Sequence, residues 1–170
     1  EKKWMSLMKK LNLILFSILI FLFISKILLA EERLIHGIAK VIDGDTIVIK
    51  GKKIRLFGID APEMKQICFN ELNNPYPCGR EAKEILERMS KNNKYYCYYS
   101  DKDKYNRIIG DCYDESKTSV NGFMVLRGYA VAYKRYSNKY IRQEENAKLN
   151  KRGIWRGKFE RPEEWRRKNK

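Results

Sequence analysis

A chain of 170 residues has room for one ordinary domain and a short extension, not for two domains. It carries 36 Lys and Arg against 21 Asp and Glu, a formal charge of +15, and one His, which excludes any centre built on several imidazoles. Aromatic content of 12% and apolar content of 44% exclude a disordered polycation. Without residues 1–30, 31 bases and 20 acids remain, a net of +11, so the basic excess belongs to the body and the expected partners are anionic.

Lys9-Lys10 precede an apolar run from Leu11 to Ile24, followed by Ser25-Lys26, Ile27 to Ala30 and the acidic pair Glu31-Glu32. A basic start, an apolar stretch and a small residue before a polar beginning describe a secretory signal peptide. The rival reading is an uncleaved anchor through residues 11–30, about a bilayer in length. Lys26 speaks against a full span, and Leu28 is a poor match to a small-x-small cleavage site. Either way the body faces outward: periplasmic, secreted or anchored. All four cysteines follow residue 30, an even set that an oxidising compartment can pair. The spacing favours Cys97 with Cys112, across a hairpin turned at Asp101–Asn106, and Cys68 with Cys78, around a loop rich in Asn and Pro. Each bridge is worth about 3 kcal/mol by loop entropy. A four-thiolate zinc site is the weaker alternative, because neither pair has short C-x2–4-C spacing.

Leu34 to Ile59 reads as strands rich in β-branched residues, with turns at Asp43-Gly44-Asp45 and Gly51-Lys52-Lys53. Gly79 to Asn92 reads as a helix, with Ala82, Ile85, Leu86 and Met89 at i, i+3, i+4 and i+7. Lys94 to Ser100 and Arg107 to Tyr113 form a hairpin. Val120 to Arg127 is a short helix stopped by Gly128, and Asn138 to Arg152 a third, stopped by Gly153. Strands, a helix, more strands and then helices give an α+β class, a small barrel with helices packed on it. No internal repeat is present. From Lys148 to Lys170 ten bases face three acids, punctuated by Trp155, Phe159 and Trp165. That segment reads as a basic tail, with Trp155 packing on the body and the last residues drawn to phosphates.

The ionisable residues at the turns carry the chemistry. Asp43-Gly44-Asp45-Thr46 puts two carboxylates on a tight turn, and Asp60-Ala61-Pro62-Glu63 puts two more at a strand end. Pro62 keeps Ala61 extended, so the Ala61 carbonyl can project into a site. An oxygen-only donor set of this kind suits a hard cation, Ca2+ or Mg2+. Arg55 lies on the strand between the acidic turns and Arg107 follows the hairpin turn; each offers a guanidinium fork for a phosphate. Two guanidiniums, a divalent cation and a spare carboxylate are the parts that phosphodiester hydrolysis uses. His36 reads as an ordinary strand residue, since nothing pairs with it as a nucleophilic dyad requires. Tyr95, Tyr96, Tyr98 and Tyr99 divide between the two faces of a strand, so at least half serve packing.

Three segments taken together resemble a known family. Val41-Ile42-Asp43-Gly44-Asp45-Thr46, Ile54-Arg55-Leu56-Phe57-Gly58-Ile59-Asp60-Ala61-Pro62-Glu63 and Asp103-Lys104-Tyr105-Asn106-Arg107 are similar, in order, to the signatures of staphylococcal nuclease-like proteins (thermonucleases). The resemblance continues through Val120-Asn121 and Arg152-Gly153-Ile154-Trp155. It implies an OB-fold five-stranded barrel with three helices, and a Ca2+-dependent endonuclease acting on DNA and RNA as a monomer. It implies Asp45, Asp60 and the Ala61 carbonyl as calcium ligands, with Asp43 behind them, and Arg55 and Arg107 on the scissile phosphate. Glu63 would orient or deprotonate the attacking water, leaving 3′-phosphate ends. Lys104 and Tyr105 would flank the nucleotide's other phosphate, and Tyr133 and Tyr136 would form a wall against the base. The implied domain map is a signal peptide or anchor over 1–30, the nuclease body over 31–156 and a basic tail over 157–170. Three departures stand out: Ala61 replaces a Thr of the founding member, Asn106 replaces the usual Gly before the arginine, and the Cys68–Cys78 loop is longer. The contrasting class is a non-catalytic OB-type nucleic-acid binder, in which the acids and arginines are lost. Here Asp45, Arg55, Asp60, Glu63 and Arg107 are all present. A basic adhesion module would account for charge and export but not for the paired acidic turns.

Overall fold

The computed structural model describes Trp4, residues 12–19 and residues 33–169. Residues 12–19 are helical, and among the described residues no helix is long and apolar enough to cross a membrane. The signal-or-anchor segment otherwise lies outside the described residues.

From residue 33 the chain is α+β. The strands of its main sheet are β1 (Arg33–Ile38), β2 (Lys40–Val41), β3 (Thr46–Ile49), β4 (Lys52–Leu56), β8 (Lys94–Tyr99) and β9 (Ile108–Tyr113). Their order is β1-β8-β9-β4-β3-β2, antiparallel throughout except for the parallel pair β4/β9. Only Ala39 separates β1 from β2, yet the two pair at opposite edges of the sheet, so chain continuity curls it. The sheet is thus a curled half-barrel of six segments, where the resemblance implied a five-stranded barrel. Two small sheets join β5 (Ile59–Asp60) to β10 (Val131–Ala132), and β6 (Cys68–Phe69) to β7 (Pro75–Tyr76).

Alternation along the strands sets the inside of the curl. Ile35, Ile47, Ile49, Ile54, Leu56, Tyr95, Cys97, Ile108 and Cys112 are buried in one cluster, and each fully buried aliphatic contributes roughly 1.5–3 kcal/mol. Three helices correspond to those expected, the first from its periodicity and the others from their glycine stops: α1 (Cys78–Ser90), α2 (Val120–Leu126) and α3 (Ile141–Leu149). Ala82 and Leu86 of α1, with Val120, Met124 and Val125 of α2, close the core. Helix α3 begins three residues later than expected, because Asn138 to Tyr140 form a turn. Asn121 is fully buried and satisfied: its oxygen accepts from Cys112 N–H, and its amide donates to the carbonyls of Phe57 and Gly110.

Both disulfides form as the spacing favoured, Cys97–Cys112 directly across β8/β9 and Cys68–Cys78 across β6/β7 into α1. Asn106 takes φ +62°, the left-handed conformation its position demanded. The clear correction concerns the tail. Residues 153–156 form a 3-10 turn, the backbones of Phe69 and Lys158 bond reciprocally at 2.8 and 3.0 Å, and α4 runs Pro162–Lys168. Phe159 packs on Trp155 at 4.8 Å between ring centroids, and Arg161 donates to Glu144 and to the Ala132 carbonyl. Trp155 packs as expected, but the residues after it are folded against the body as well and do not form a loose basic tail.

Candidate active site

The acidic turn after β2 and the end of β5 meet beside β4. Asp45 N–H donates to the Asp43 carboxylate at 3.1 Å, closing an Asx turn, while Leu56 N–H donates to the Asp45 carbonyl at 2.8 Å. Asp45 and Asp60 are buried, 5% and 1% exposed. Asp45 Oδ1 accepts from Arg55 Nη1 at 2.9 Å and from Thr46 Oγ1 at 3.0 Å, and its Oδ2 accepts from Ala61 N–H at 3.1 Å. Arg55 Nη2 donates to Asp60 Oδ1 at 2.9 Å, so one guanidinium bridges both aspartates. This follows from the strand: Ile54 and Leu56 point into the core, which sends Arg55 to the other face, half-buried.

Close backbone approach fixes the loop. A Cβ on Gly44 would lie 2.7 Å from Ala61 Cβ and 2.9 Å from Ala82 Cβ. A Cβ on Gly79 would lie 1.8 Å from the Glu63 carbonyl oxygen, so only glycine lets α1 start against that loop. Glu63 N–H donates to Gln66 Oε1, and the buried Gln66 amide donates to the Glu160 carbonyl at 2.7 Å.

The structure adds Arg166, on α4. Its Nη1 donates to Asp60 Oδ1 at 2.9 Å and to Glu63 Oε1 at 2.7 Å, and its Nη2 donates to Asp60 Oδ2 at 2.9 Å. Sequence reasoning placed neither Gln66 nor Arg166 in the site. Only the Trp165-Arg166 pair within the basic tail hinted at a docked segment, and nothing local marks Gln66.

Three carboxyls (Asp45, Asp60, Glu63) thus share two guanidiniums, Arg55 and Arg166, with Asp43 held beside them by the Asp45 N–H. Burial, with the charge of Asp45, lifts the Asp43 carboxyl to about 6. Burial also raises that of Asp60, against the hydrogen bonds from Arg166. Burial alone would lower the Arg55 guanidinium, but Asp45 and Asp60 outweigh it and hold it above its ordinary value. The surplus of carboxylate over guanidinium, and the oxygen-only donors, fit a hard divalent cation. Among the described residues no group of three or more His, Cys, Asp and Glu side chains is gathered closely enough to hold a metal by side chains alone.

The remaining sequence-predicted residues lie around this centre. Arg107 is clamped to Asp103 through Nε and Nη2, both at 2.7 Å, and Asp103 also accepts the N–H groups of Tyr105 and Arg107. No hydrogen bond or ion pair joins Arg107 to Asp45 or Asp60 among the described residues. The β4/β9 register, extended by one residue, sets it on the face of Arg55, one strand over and two residues back. Lys104 and Arg107 both stand over the exposed ring of Tyr105, at 5.0 and 5.5 Å. Tyr133 and Tyr136 meet edge to face at 4.7 Å. Burial raises the Tyr133 hydroxyl, and the charge of Asp60 adds to it, which puts Tyr133 within electrostatic reach of the centre.

A curled sheet carrying two buried aspartates bridged by an arginine, on a strongly basic body, has the parts of a phosphodiester hydrolase. Residues 53–157 match the family model described as Staphylococcal nuclease homologue, and the chain belongs to that family and to its enzyme class, the nucleases. Members are generally metal-dependent. The chain is 37% identical over 134 residues to the succinoglycan biosynthesis protein ExoI of Rhizobium meliloti (strain 1021), covering 77% of this chain and 69% of that one. It is 32% identical over 145 residues to an uncharacterized endonuclease of Escherichia coli, covering 81% and 86%. It is 33% identical over 127 residues to the probable staphylococcal-like nuclease CAN1 of Oryza sativa subsp. japonica, covering 73% and 35%. The family match ends before α4 and Arg166.

Proposed function

We propose that this chain is an exported, Ca2+-dependent endonuclease that hydrolyses DNA and RNA by attack of water at phosphorus, breaking the bond to the 5′ oxygen and leaving 3′-phosphate ends. The observation that carries the reading is the single guanidinium of Arg55 bridging two buried aspartates at 2.9 Å each. Asp45, Asp60 and the Ala61 carbonyl would hold the cation, with Asp43 shaping the turn behind them. Bound there, it would supply Lewis-acid stabilisation of charge growing on the phosphoryl oxygens. Arg55 offers the phosphate a planar fork already ordered by its carboxylates, and Arg107, held by Asp103, offers a second from the same sheet face. Glu63 orients the attacking water or accepts its proton. Lys104 and Tyr105 take the neighbouring phosphate, and Tyr133 with Tyr136 presents an aromatic wall to a base. The net +11 of residues 31–170 draws the polyanion in.

Export is supported by two disulfides, which persist in oxidising compartments. On this reading residues 1–30 serve as signal or anchor and residues 31–156 form the nuclease body, working as a monomer. The test is digestion of single-stranded DNA and of RNA by the 170-residue chain. We expect cleavage with Ca2+, arrest by EGTA, 5′ ends that a kinase phosphorylates directly, and 3′ ends that can be extended only after phosphatase treatment. Undiminished digestion in EGTA would remove the calcium role, and 5′-phosphate ends would remove the proposed bond.

A further inference from the structure

Helix α4 delivers a cation of its own to the carboxylates. Arg166 uses both terminal nitrogens on Asp60 and shares one with Glu63, at 2.7 to 2.9 Å. Asp60 Oδ1 receives two guanidiniums, from Arg55 and Arg166, so both of its lone pairs are engaged. Asp60 Oδ2, which a divalent cation would need, is engaged by Arg166 alone. Those hydrogen bonds and the two carboxylates hold the Arg166 guanidinium above its ordinary value, against the opposing effect of burial. The contact is built, because the segment before it is pinned. The Phe69–Lys158 backbone pair, the Gln66–Glu160 bond and the Arg161–Glu144 ion pair fix residues 158–161, and Pro162 is buried at the start of α4. Beyond Pro162, Arg166 ties α4 to the carboxylates and stays 32% exposed, open to exchange with solvent ions.

We propose that Arg166 is a positioning residue that sets the cation affinity of the site: it competes with the divalent cation for Asp60, so metal binding and seating of α4 oppose each other. This rests on the proposed role of Asp60 as a metal ligand. Without cation, Arg166 keeps the two carboxylates together and compensated. With cation, the guanidinium leaves Asp60 Oδ2 and turns its donors toward the mouth of the site.

The test is calorimetric titration of the 170-residue chain with CaCl2 alone, no substrate present, for the parent, Arg166→Gln and Lys168→Ala. Lys168 lies on the same helix, pairs with Glu160 and is mostly exposed, so its variant removes equal charge without touching the carboxylates. Loss of charge-assisted hydrogen bonds that compete with the ion predicts binding about tenfold to a hundredfold tighter in Arg166→Gln. Lys168→Ala should match the parent. Hydrogen exchange of the parent gives a readout free of any substitution: amides of residues 163–169 should exchange faster with Ca2+ than with EGTA. Equal or weaker binding in Arg166→Gln, or unchanged exchange, overturns the competition while leaving the metal site standing. Absence of binding in all three proteins overturns the metal site, and the competition with it.

Discussion

Replacing Arg55 by Gln separates architecture from chemistry. The substitution keeps length and polarity but removes the charge shared by Asp45 and Asp60, which are 6% and 1% exposed at their side chains. Removing one partner of a buried ion pair costs about 3–5 kcal/mol; with Arg55 itself 19% exposed, the low end applies, about 3 kcal/mol. A domain of this size is stable by roughly 5–15 kcal/mol, so the variant stays more than about 90% folded at 25 °C. If Arg55 served only architecture, activity would fall by about that unfolded tenth. As a donor to the charge developing on the phosphate, its loss should lower kcat/KM by about 10²–10³-fold. Urea melts followed by tryptophan fluorescence give the first quantity, and cleavage of a single-stranded oligonucleotide gives the second. A kcat/KM within fivefold of the parent, in a protein destabilised as expected, would refute the catalytic assignment and leave Arg55 a strut.

Glu144→Gln should cost about 2 kcal/mol at neutral pH, because a carboxylate with no exposed surface loses its charged bonds to Arg161 and Lys148, both partly solvated. Burial alone would raise the Glu144 carboxyl, but those hydrogen bonds outweigh it and hold it below its ordinary 4.5. The stabilisation is therefore fully present above that value and lost as pH falls through the lower folded value; parent and variant melts should converge in that range. A constant gap down to pH 3 would contradict the sign. Replacing Cys97 and Cys112 together by Ala opens a 15-residue loop and should cost about 3 kcal/mol in the same urea assay, with no change in cleavage specificity.

What the sequence made legible follows distance along the chain. The β-branched run of β3, the mostly apolar Ile54 to Leu56 of β4 and the four-residue stripe of α1 each lie inside one element, and each formed with its apolar side inward. The cysteine pairing was readable because a single hairpin brings Cys97 opposite Cys112. The site was readable as far as its turns: Asp43, Asp45, Asp60 and Glu63 announce themselves by spacing. Arg166 reaches Asp60 across 106 positions, and Gln66 reaches Glu160 across 94, so no local pattern encodes either. At the terminus the packing of Trp155 was legible, but the partners of the basic run were not, because Arg161 finds Glu144 and Arg166 finds Glu63 only once the chain is folded.

The missing side chain at Gly79 has a mechanical result. Cys78, one residue earlier, is half of a covalent staple, while Gly79 abuts the peptide oxygen of Glu63. The carboxylate that would manage water is thus braced by a bond that forms only outside reducing surroundings. Without that staple the loop would keep Glu63 only through Gln66 and Arg166, so the redox state of a distant sulfur pair would reach the carboxylate by way of a peptide oxygen.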